Sequence, residues 1–271
     1  MNQDGTVLLV GGTGKTGRRL RDRLAERGYN TRLASRTAEH SFVWEDEGTW
    51  EPALNGVDAV YVVHHDISHS DAGEQLARFS QLALYHGVKR QVFLSGRADD
   101  GFLSGVEDYM TAAGADWTIL RPSWFMQNFS EMFFFEAVLK GEIVLPVGDA
   151  TEPFVDVEDV AAVAAEVLLD DQHIGQTYEL TGPRLIGFSE VAAELTKAIG
   201  REITFNPIAL DDYRQSLRLA GLPEEYAETY SGIADGKLAF VTDHVERILK
   251  RPAGDFVEYV KKTADTGIWK V

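Results

Sequence analysis

At 271 residues, 44% hydrophobic and 25% charged, the chain has the make-up of a globular protein with room for a large core. Its 43 acidic and 26 basic residues leave a net charge of −17, which repels nucleic acid, and the absence of cysteine excludes disulfides, thiolate nucleophiles and cysteine metal sites. No apolar run approaches the ~18 residues of a membrane helix, and the opening MNQDGTVLLV lacks the layout of a signal peptide, so a cytoplasmic protein with neither nucleic-acid nor membrane partners is expected.

The first predicted element, Thr6 to Val10, is an apolar, β-branched strand. It breaks into glycines at 11, 12, 14 and 17, and a helix with Leu20 and Leu24 on one face follows at once. Strand, tight turn and helix in this order bring an anion against backbone. Gly11 permits the sharp exit, Gly14 leaves room for a pyrophosphate, and Gly17 lets the helix close on the sheet. The free N–H groups and positive dipole end of the helix face the phosphates, with Lys15, Arg18 and Arg19 adding charge nearby. The spacing is G-x-x-G-x-x-G rather than the commonest dinucleotide fingerprint. A triphosphate loop would need glycine at position 9, where Leu9 stands inside the strand. The turn therefore reads as a dinucleotide site, the alternative being a purely structural turn. The one dense basic cluster, Lys15, Arg18, Arg19, Arg21 and Arg23, fits phosphates or a solvated helix face better than nucleic acid.

Thr31 to Ser35 reads as the second strand and completes a βαβ unit. Its end carries Ser35 and Arg36, a hydroxyl and a guanidinium, where a site for NAD usually places a carboxylate. This pair suits a 2′-phosphate, so NADP(H) is favoured and NAD(H) stays open; a plain surface charge is the alternative for Arg36. Phe42 to Trp44 reads as a short third strand, followed by a helix with Asp46 or Thr49 as its N-cap. Trp44 or Glu45 then flanks the adenine and Trp50 belongs to the core. Asp58 to Val63 is a buried fourth strand that ends in His64, His65 and Asp66, at the carboxyl edge where ligands bind in open α/β sheets. Adjacent side chains on an extended segment point opposite ways, so at most one histidine faces a ligand. No further histidine cluster supports a metal.

Asp71 to Tyr85 reads as a helix, Gln91 to Leu94 as the fifth strand, ending at Ser95-Gly96-Arg97, Glu107 to Ala113 as a helix and Trp117 to Arg121 as the sixth strand. A loop from Pro122 through Phe129 runs into three consecutive phenylalanines, Phe133 to Phe135. These cannot all face one core, so some line a pocket or an oligomer contact such as that of a homodimer. Beyond Lys140 the alternation loosens. There follow a turn at Gly148-Asp149, a helix from Val157 to Leu169, a strand in QTYELTGP, a helix from Ser189 to Ile199 capped by Ser189 and ended by Gly200, a strand at Ile203 to Phe205, and a mainly helical remainder. The fold class is α/β, a doubly wound, mostly parallel Rossmann sheet with a smaller C-terminal α/β lobe for substrate. Residues 1–140 form the nucleotide domain, joined by part of 150–180 through a chain crossover, and residues 141–271 the lobe.

The segments GGTGKTG, SRT, WEDEGTWEPALNGVDAVYVV, FLSG, DWTILRPSWFMQNF, LPVGDATEPFVDVEDVAAVAAEVL, YELTGP and TDHVERIL together resemble the NmrA-like branch of the atypical short-chain dehydrogenases/reductases, over about residues 5 to 250. The SRT and WEDEGTW segments are similar to those of reductases that tailor alkaloids and polyketides in secondary metabolism. The resemblance implies a dinucleotide across the carboxyl edge of the sheet. Gly11, Thr13, Gly14, Lys15, Thr16 and Gly17 would hold the pyrophosphate, Ser35 and Arg36 the adenosine phosphate, and Val63 and His64 the ribose, with Trp44 beside the adenine. Ser95, Gly96, Pro122, Ser123, Trp124 and Phe125 would border the nicotinamide. A small-molecule substrate would sit between that edge and the lobe, near His65, Tyr109, Trp124, Met126 and Phe129. The aromatic and thioether side chains suit a flat, aromatic or polycyclic one.

One departure from the family pattern matters. Its usual acid apparatus is Ser, Tyr and a Lys four residues after the Tyr. The Y-x-x-x-K of this chain, Tyr85 and Lys89, precedes the fifth strand and reads as a decoy, while the family positions of Tyr and Lys fall on Asp99 and Leu103. Tyr109 stands a plausible distance beyond Ser95, but its partner position is Ala113. Ser95 is the single catalytic candidate carried over, with a structural strand-end serine as the alternative. Three functions are open: an NADPH-dependent reductase of a ketone, quinone, imine or activated alkene that lacks the usual Tyr/Lys pair; a dinucleotide-binding redox sensor; and other chemistry, such as oxygenation or isomerisation, on a retained Rossmann scaffold.

Overall fold

A computed structural model describes residues 5–97 and 102–270. In chain order the elements are β1 (Thr6–Val10), α1 (Lys15–Glu26), β2 (Asn30–Ser35), β3 (His40–Ser41), α2 (Trp50–Leu54), β4 (Ala59–Val63), α3 (Ala72–Tyr85), β5 (Arg90–Leu94), α4 (Phe102–Ala112) and β6 (Asp116–Pro122). They continue with α5 (Asn128–Glu131), α6 (Phe135–Lys140), β7 (Glu142–Leu145), β8 (Thr151–Glu152), α7 (Val157–Leu169), β9 (Gln176–Leu180), β10 (Ile186–Gly187), α8 (Phe188–Ile199), β11 (Thr204–Pro207), α9 (Leu210–Leu219), α10 (Ser231–Ala234), α11 (His244–Leu249) and α12 (Phe256–Asp265).

The chain divides into two compact units, residues 1–122, 157–180 and 244–251 in the first and 123–156, 181–243 and 252–271 in the second. The sequence reading sets one boundary near residue 140. The partition instead follows β6 to its end at Pro122, because the return of α7 and β9 to the sheet is what closes the first unit.

Within the first unit a seven-stranded sheet runs in the order β3-β2-β1-β4-β5-β6-β9, every neighbouring pair parallel. This is the doubly wound order, whose direction reverses between β1 and β4. Strands β1, β4 and β5 are buried along almost their whole length, as expected of parallel strands covered on both faces. On one face α1 and α7 pack together. Helix α7 is buried nearly all round, and its alanines let it lie close between α1 and the sheet. The other face carries α3 and α4 over a core that includes Trp50, Phe79, Phe93 and Met110.

The second unit has its own core, built around Phe129, Phe134, Phe154, Phe188, Phe256 and Trp269. Small pairings of β8 with β10 and β7 with β11 flank it, and the chain from Leu210, part of which returns to the first unit as α11, is mainly helical as expected. Helix α8 starts one residue early, with Gly187 at its N-cap and no side-chain cap, so Ser189 does not fill the expected role. Gly200 ends it in the left-handed conformation, as read. Among the described residues no helix is long and apolar enough to cross a membrane.

Candidate functional site

The turn after β1 is set by backbone demands. Gly11 has φ +76°, a left-handed conformation that reverses the chain at the strand end. Gly17 lies where a Cβ would come within 2.6 Å of both Gly11 O and Gly12 Cα, so only glycine lets α1 close on the turn. The turn is tied by Gly11 N–H to Ala34 O at 2.9 Å and Gly14 N–H to Gly11 O at 2.9 Å. Gly14 is exposed, and a Cβ there would meet only Gly11 O, at 3.1 Å. It is also the N-cap of α1, which has no side-chain cap and no acidic residue in its first turn. The amino end of the helix is thus left open toward an anion.

A cavity of about 270 Å³ opens beside this turn, lined by Val10, Gly11, Thr13, Gly14, Ser35, Arg36, Thr37, Phe42, Trp44, Glu45, Val63 and His65. It sits at the carboxyl ends of β1, β2 and β4, where the strand order reverses. Ser35 Oγ accepts from the Thr37 N–H at 3.2 Å, which fixes the turn presenting Arg36. Arg36 is exposed and has no ion-pair partner among the described residues. A guanidinium left unpaired in a chain with so large an acidic excess, at the rim of this cavity, has the geometry of an anion ligand. Thr37 and Phe42 join the site without having been read from the sequence, although the SRT segment and the proposed third strand pointed to their neighbourhood.

Trp44 is 5% exposed and donates its indole N–H to Val63 O at 3.3 Å. It is packed in a group with Phe42, Trp50 and Phe79, and one edge reaches the cavity. The expected strand Phe42 to Trp44 is realised as β3, at His40–Ser41, with Phe42 N–H bonded to Ser35 O beyond it. Asp46 caps the short 3₁₀ turn at Glu47–Thr49, whereas Thr49 makes no side-chain cap to α2 and instead bonds back to Val43.

The two histidines stand elsewhere than expected. His64, placed by the sequence reading along the ribose, is buried; its Nε2 lies 2.9 Å from Gln75 Oε1 and its Nδ1 accepts from Asp66 N–H at 3.2 Å. Burial pulls its pKa below the ordinary histidine value, so the ring is a neutral packing element. His65, expected near substrate, lines the cavity with its Nε2 3.2 Å from Glu45 Oε1. The rings of His64 and His65 are stacked at 4.9 Å rather than opposed, because Asp66 and Ser68 fold the chain into a turn straight after Val63.

Several glycine-turn residues face inward. Thr16 is 5% exposed, beside the buried Tyr61, and Gly17 is buried, while Lys15 is half-buried. Arg19 and Arg23 both grip Glu158 of α7 at 2.8 Å, Arg27 pairs with Glu166, and Arg21 with Asp22. Most of the basic cluster therefore ties α1 to α7 or to itself rather than facing phosphates.

At the end of β5, Ser95 N–H donates to Leu120 O at 2.8 Å, and its Oγ is buried with no hydrogen-bond partner among the described residues. Gly96 follows, close under Leu103 of α4. Asp99 lies outside the described residues. Tyr85, at the end of α3, is 85% exposed, and Lys89 is exposed just before β5 begins, at the amino edge opposite to the cavity. Tyr109, expected near substrate, is 48% exposed, with one ring edge so close to α3 that a Cβ on Gly73 would come within 2.5 Å of it. Its ring fills the contact of α4 with Gly73 of α3. Pro122 ends β6, buried.

In the second unit Ser123 is buried with Oγ 3.4 Å from Glu152 Oε2, and Phe125 bridges to Val155. Trp124 is stacked on Phe134 and on Tyr230, with Phe133 exposed beside it. Met126 and Phe129, expected to enclose substrate, are 1% and 0% exposed in the core of this unit. Their side chains point inward because the chain turns into α5 immediately after Gln127.

Comparison with known proteins places this geometry in a group. The family model described as the NmrA-like family matches residues 3–247. The NAD(P)H azoreductase of Xenophilus azovorans is 32% identical over 286 residues, covering 95% of this chain and 98% of that one. The oxidoreductase YesF of Bacillus subtilis (strain 168) is 30% identical over 285 residues, covering 99% of both. Among solved structures, triphenylmethane reductase of Citrobacter sp., complexed with NADP(H), has the same fold with a TM-score of 0.73, at 21% identity over 95% of this chain and 99% of that one.

Proposed function

The chain belongs to the NmrA-like family, and we propose that it is an NADPH-dependent reductase acting on a ketone, quinone, imine or activated alkene of aromatic or polycyclic character. The observation that carries this reading is the unpaired Arg36 at the rim of a cavity floored by Gly11 and Gly14, which suits an adenosine 2′-phosphate next to a diphosphate. The names of the relatives, an oxidoreductase and an azoreductase, support reduction as the outcome.

When bound, NADPH supplies the hydride. In this proposal the backbone of Gly11 to Gly14 and the open end of α1 hold the diphosphate, Arg36 and Ser35 the 2′-phosphate, and Trp44, Glu45 and His65 the rim of the adenosine pocket. Ser95 offers its unpartnered Oγ to the oxygen or nitrogen of the acceptor. With Leu103 where the family places lysine, the rate comes mainly from orientation, and solvent or a hydroxyl of the substrate provides the proton that balances the transferred hydride. Within the second unit, the grouping of Trp124, Phe133, Phe134 and Tyr230 supports a flat acceptor.

Acceptor-dependent loss of NADPH absorbance, followed with naphthoquinones, azo dyes and aromatic ketones, tests the reading. Turnover with at least one class supports it. Tight NADPH binding with no consumption by any of them replaces it with the second reading, a dinucleotide sensor, which the absence of the Tyr/Lys pair favours.

A further inference from the structure

The carboxyl end of β5, β6 and β9 carries four charged side chains that the proposed chemistry does not yet use. The strand registers align Leu94 with Leu120 and Leu120 with Tyr178. One residue further on, Ser95, Arg121 and Glu179 therefore stand level and share a face, and Arg121 is paired directly across from Glu179. From α4, Glu107, buried, forms a two-pronged pair with the Arg121 guanidinium, with Nε at 2.9 and 3.0 Å from its two oxygens. That pairing, with help from the charge of Glu179, raises the Arg121 pKa and keeps the guanidinium charged. Arg97, two residues past Ser95, has a side chain only 3% exposed, with Nε 3.3 Å from Glu179 Oε2. The charges alternate along one line: Glu107, Arg121, Glu179, Arg97.

Glu179 stands across from Arg121 in the strand register and reaches Arg97 with its carboxylate. Its own backbone is held from the outer edge of β9, where its N–H donates to His244 Nδ1 at 3.0 Å. The contact with Arg97 is an ion pair without hydrogen-bond geometry, and it places a carboxylate carried by the sheet against the buried guanidinium of the segment that leaves β5. Without it a buried guanidinium two residues past the last bond to β6, Ser95 N–H to Leu120 O, would lose a counter-charge.

We propose that Glu179 is a positioning residue: through Arg97 it holds Ser95 to Arg97 in place at the carboxyl end of β5, and so sets the direction of the Ser95 hydroxyl. The claim rests on the reductase reading for its effect on turnover, but its structural half stands apart. A misplacement of even ~1 Å at a reacting group costs about a hundredfold in rate, so a support of this kind is within reach of a kinetic assay.

The test uses the full chain with Glu179→Gln, which keeps shape and removes charge. By NMR, amide hydrogen exchange at Gly96 and Arg97 in the NADPH-bound protein is expected to rise about tenfold or more while the NADPH Kd changes by less than about threefold. With an accepted substrate, kcat is expected to fall at least about tenfold, and adding Ser95→Ala to Glu179→Gln is expected to cost little more, since both act on one group. Unchanged exchange, or losses from the two substitutions that multiply, would overturn the proposal. Should Glu179→Gln fail to fold, Arg97→Lys carries the same expectations. If the wild type reduces no acceptor, the exchange measurement still decides the positioning claim, and the reductase reading fails on its own.

Discussion

Replacing Arg36 by alanine isolates the group on which cofactor choice is proposed to depend. The side chain is exposed and has no ion-pair partner among the described residues, so its loss leaves no buried group unsatisfied and stability should hardly change. A charge-assisted contact between guanidinium and phosphate contributes about 1.5 to 3 kcal/mol, which corresponds to an NADPH Kd raised roughly 12- to 150-fold. NADH lacks the 2′-phosphate, so its Kd should stay within about threefold. Because Arg36 faces solvent, the NADPH penalty should shrink as salt rises well above ~0.15 M, where the screening length falls below ~8 Å. Isothermal titration of both nucleotides into wild type and variant, at low and high salt, reads all of this. Equal losses for NADPH and NADH, or no loss for either, would refute the assignment of Arg36 to the 2′-phosphate.

Other substitutions probe other links. Gly17→Ala forces a Cβ to within 2.6 Å of Gly11 O and Gly12 Cα, and should lower stability by about 1 to 3 kcal/mol in urea unfolding while weakening NADPH; an unchanged midpoint would show that the turn can yield. For Glu158, burial alone would raise the pKa, but the hydrogen bonds and charges of Arg19 and Arg23 outweigh it and leave it below its ordinary value of 4.5. Its contribution is then full above that value and lost as pH falls through the lower folded one, so Glu158→Gln should lose about 0.5 to 1 kcal/mol less than wild type on acidification below pH 4.5, as unfolding curves at several pH values would show. Tyr85→Phe should leave turnover within about twofold, since this exposed residue lies at the end of α3 on the amino side of β5; a hundredfold loss would make it the missing acid.

The parts of the fold fixed by local chemistry were legible in the chain. A run such as TVLLV followed by four glycines has few other uses, and the expected β1-turn-α1 unit, the parallel core strands and α7 all stand where pattern placed them. Glycine roles were readable too, because φ and close approach leave no alternative residue at positions 11 and 17. Side-chain direction was not. His65 lines the nucleotide cavity while His64 packs on Gln75, a choice between adjacent rings that depends on a partner eleven residues away on α3. Met126 and Phe129 have the composition of a substrate wall but the position of a core, which depends on the short helix α5 and on partners as distant in sequence as Phe256 and Trp269. Arg19 and Arg23 of α1 read as phosphate ligands or a solvated face until Glu158, more than a hundred residues away, is brought beside them by the crossover through α7. Long-range pairings of this kind leave no periodic trace.

The diphosphate grip of the turn between β1 and α1 supports the rest of the account, and wild-type protein titrated calorimetrically with NADPH and NADH tests it most directly. Saturable binding of one nucleotide per chain, with NADPH at least about tenfold tighter than NADH, is the predicted result. Folded protein that takes up neither nucleotide would contradict it.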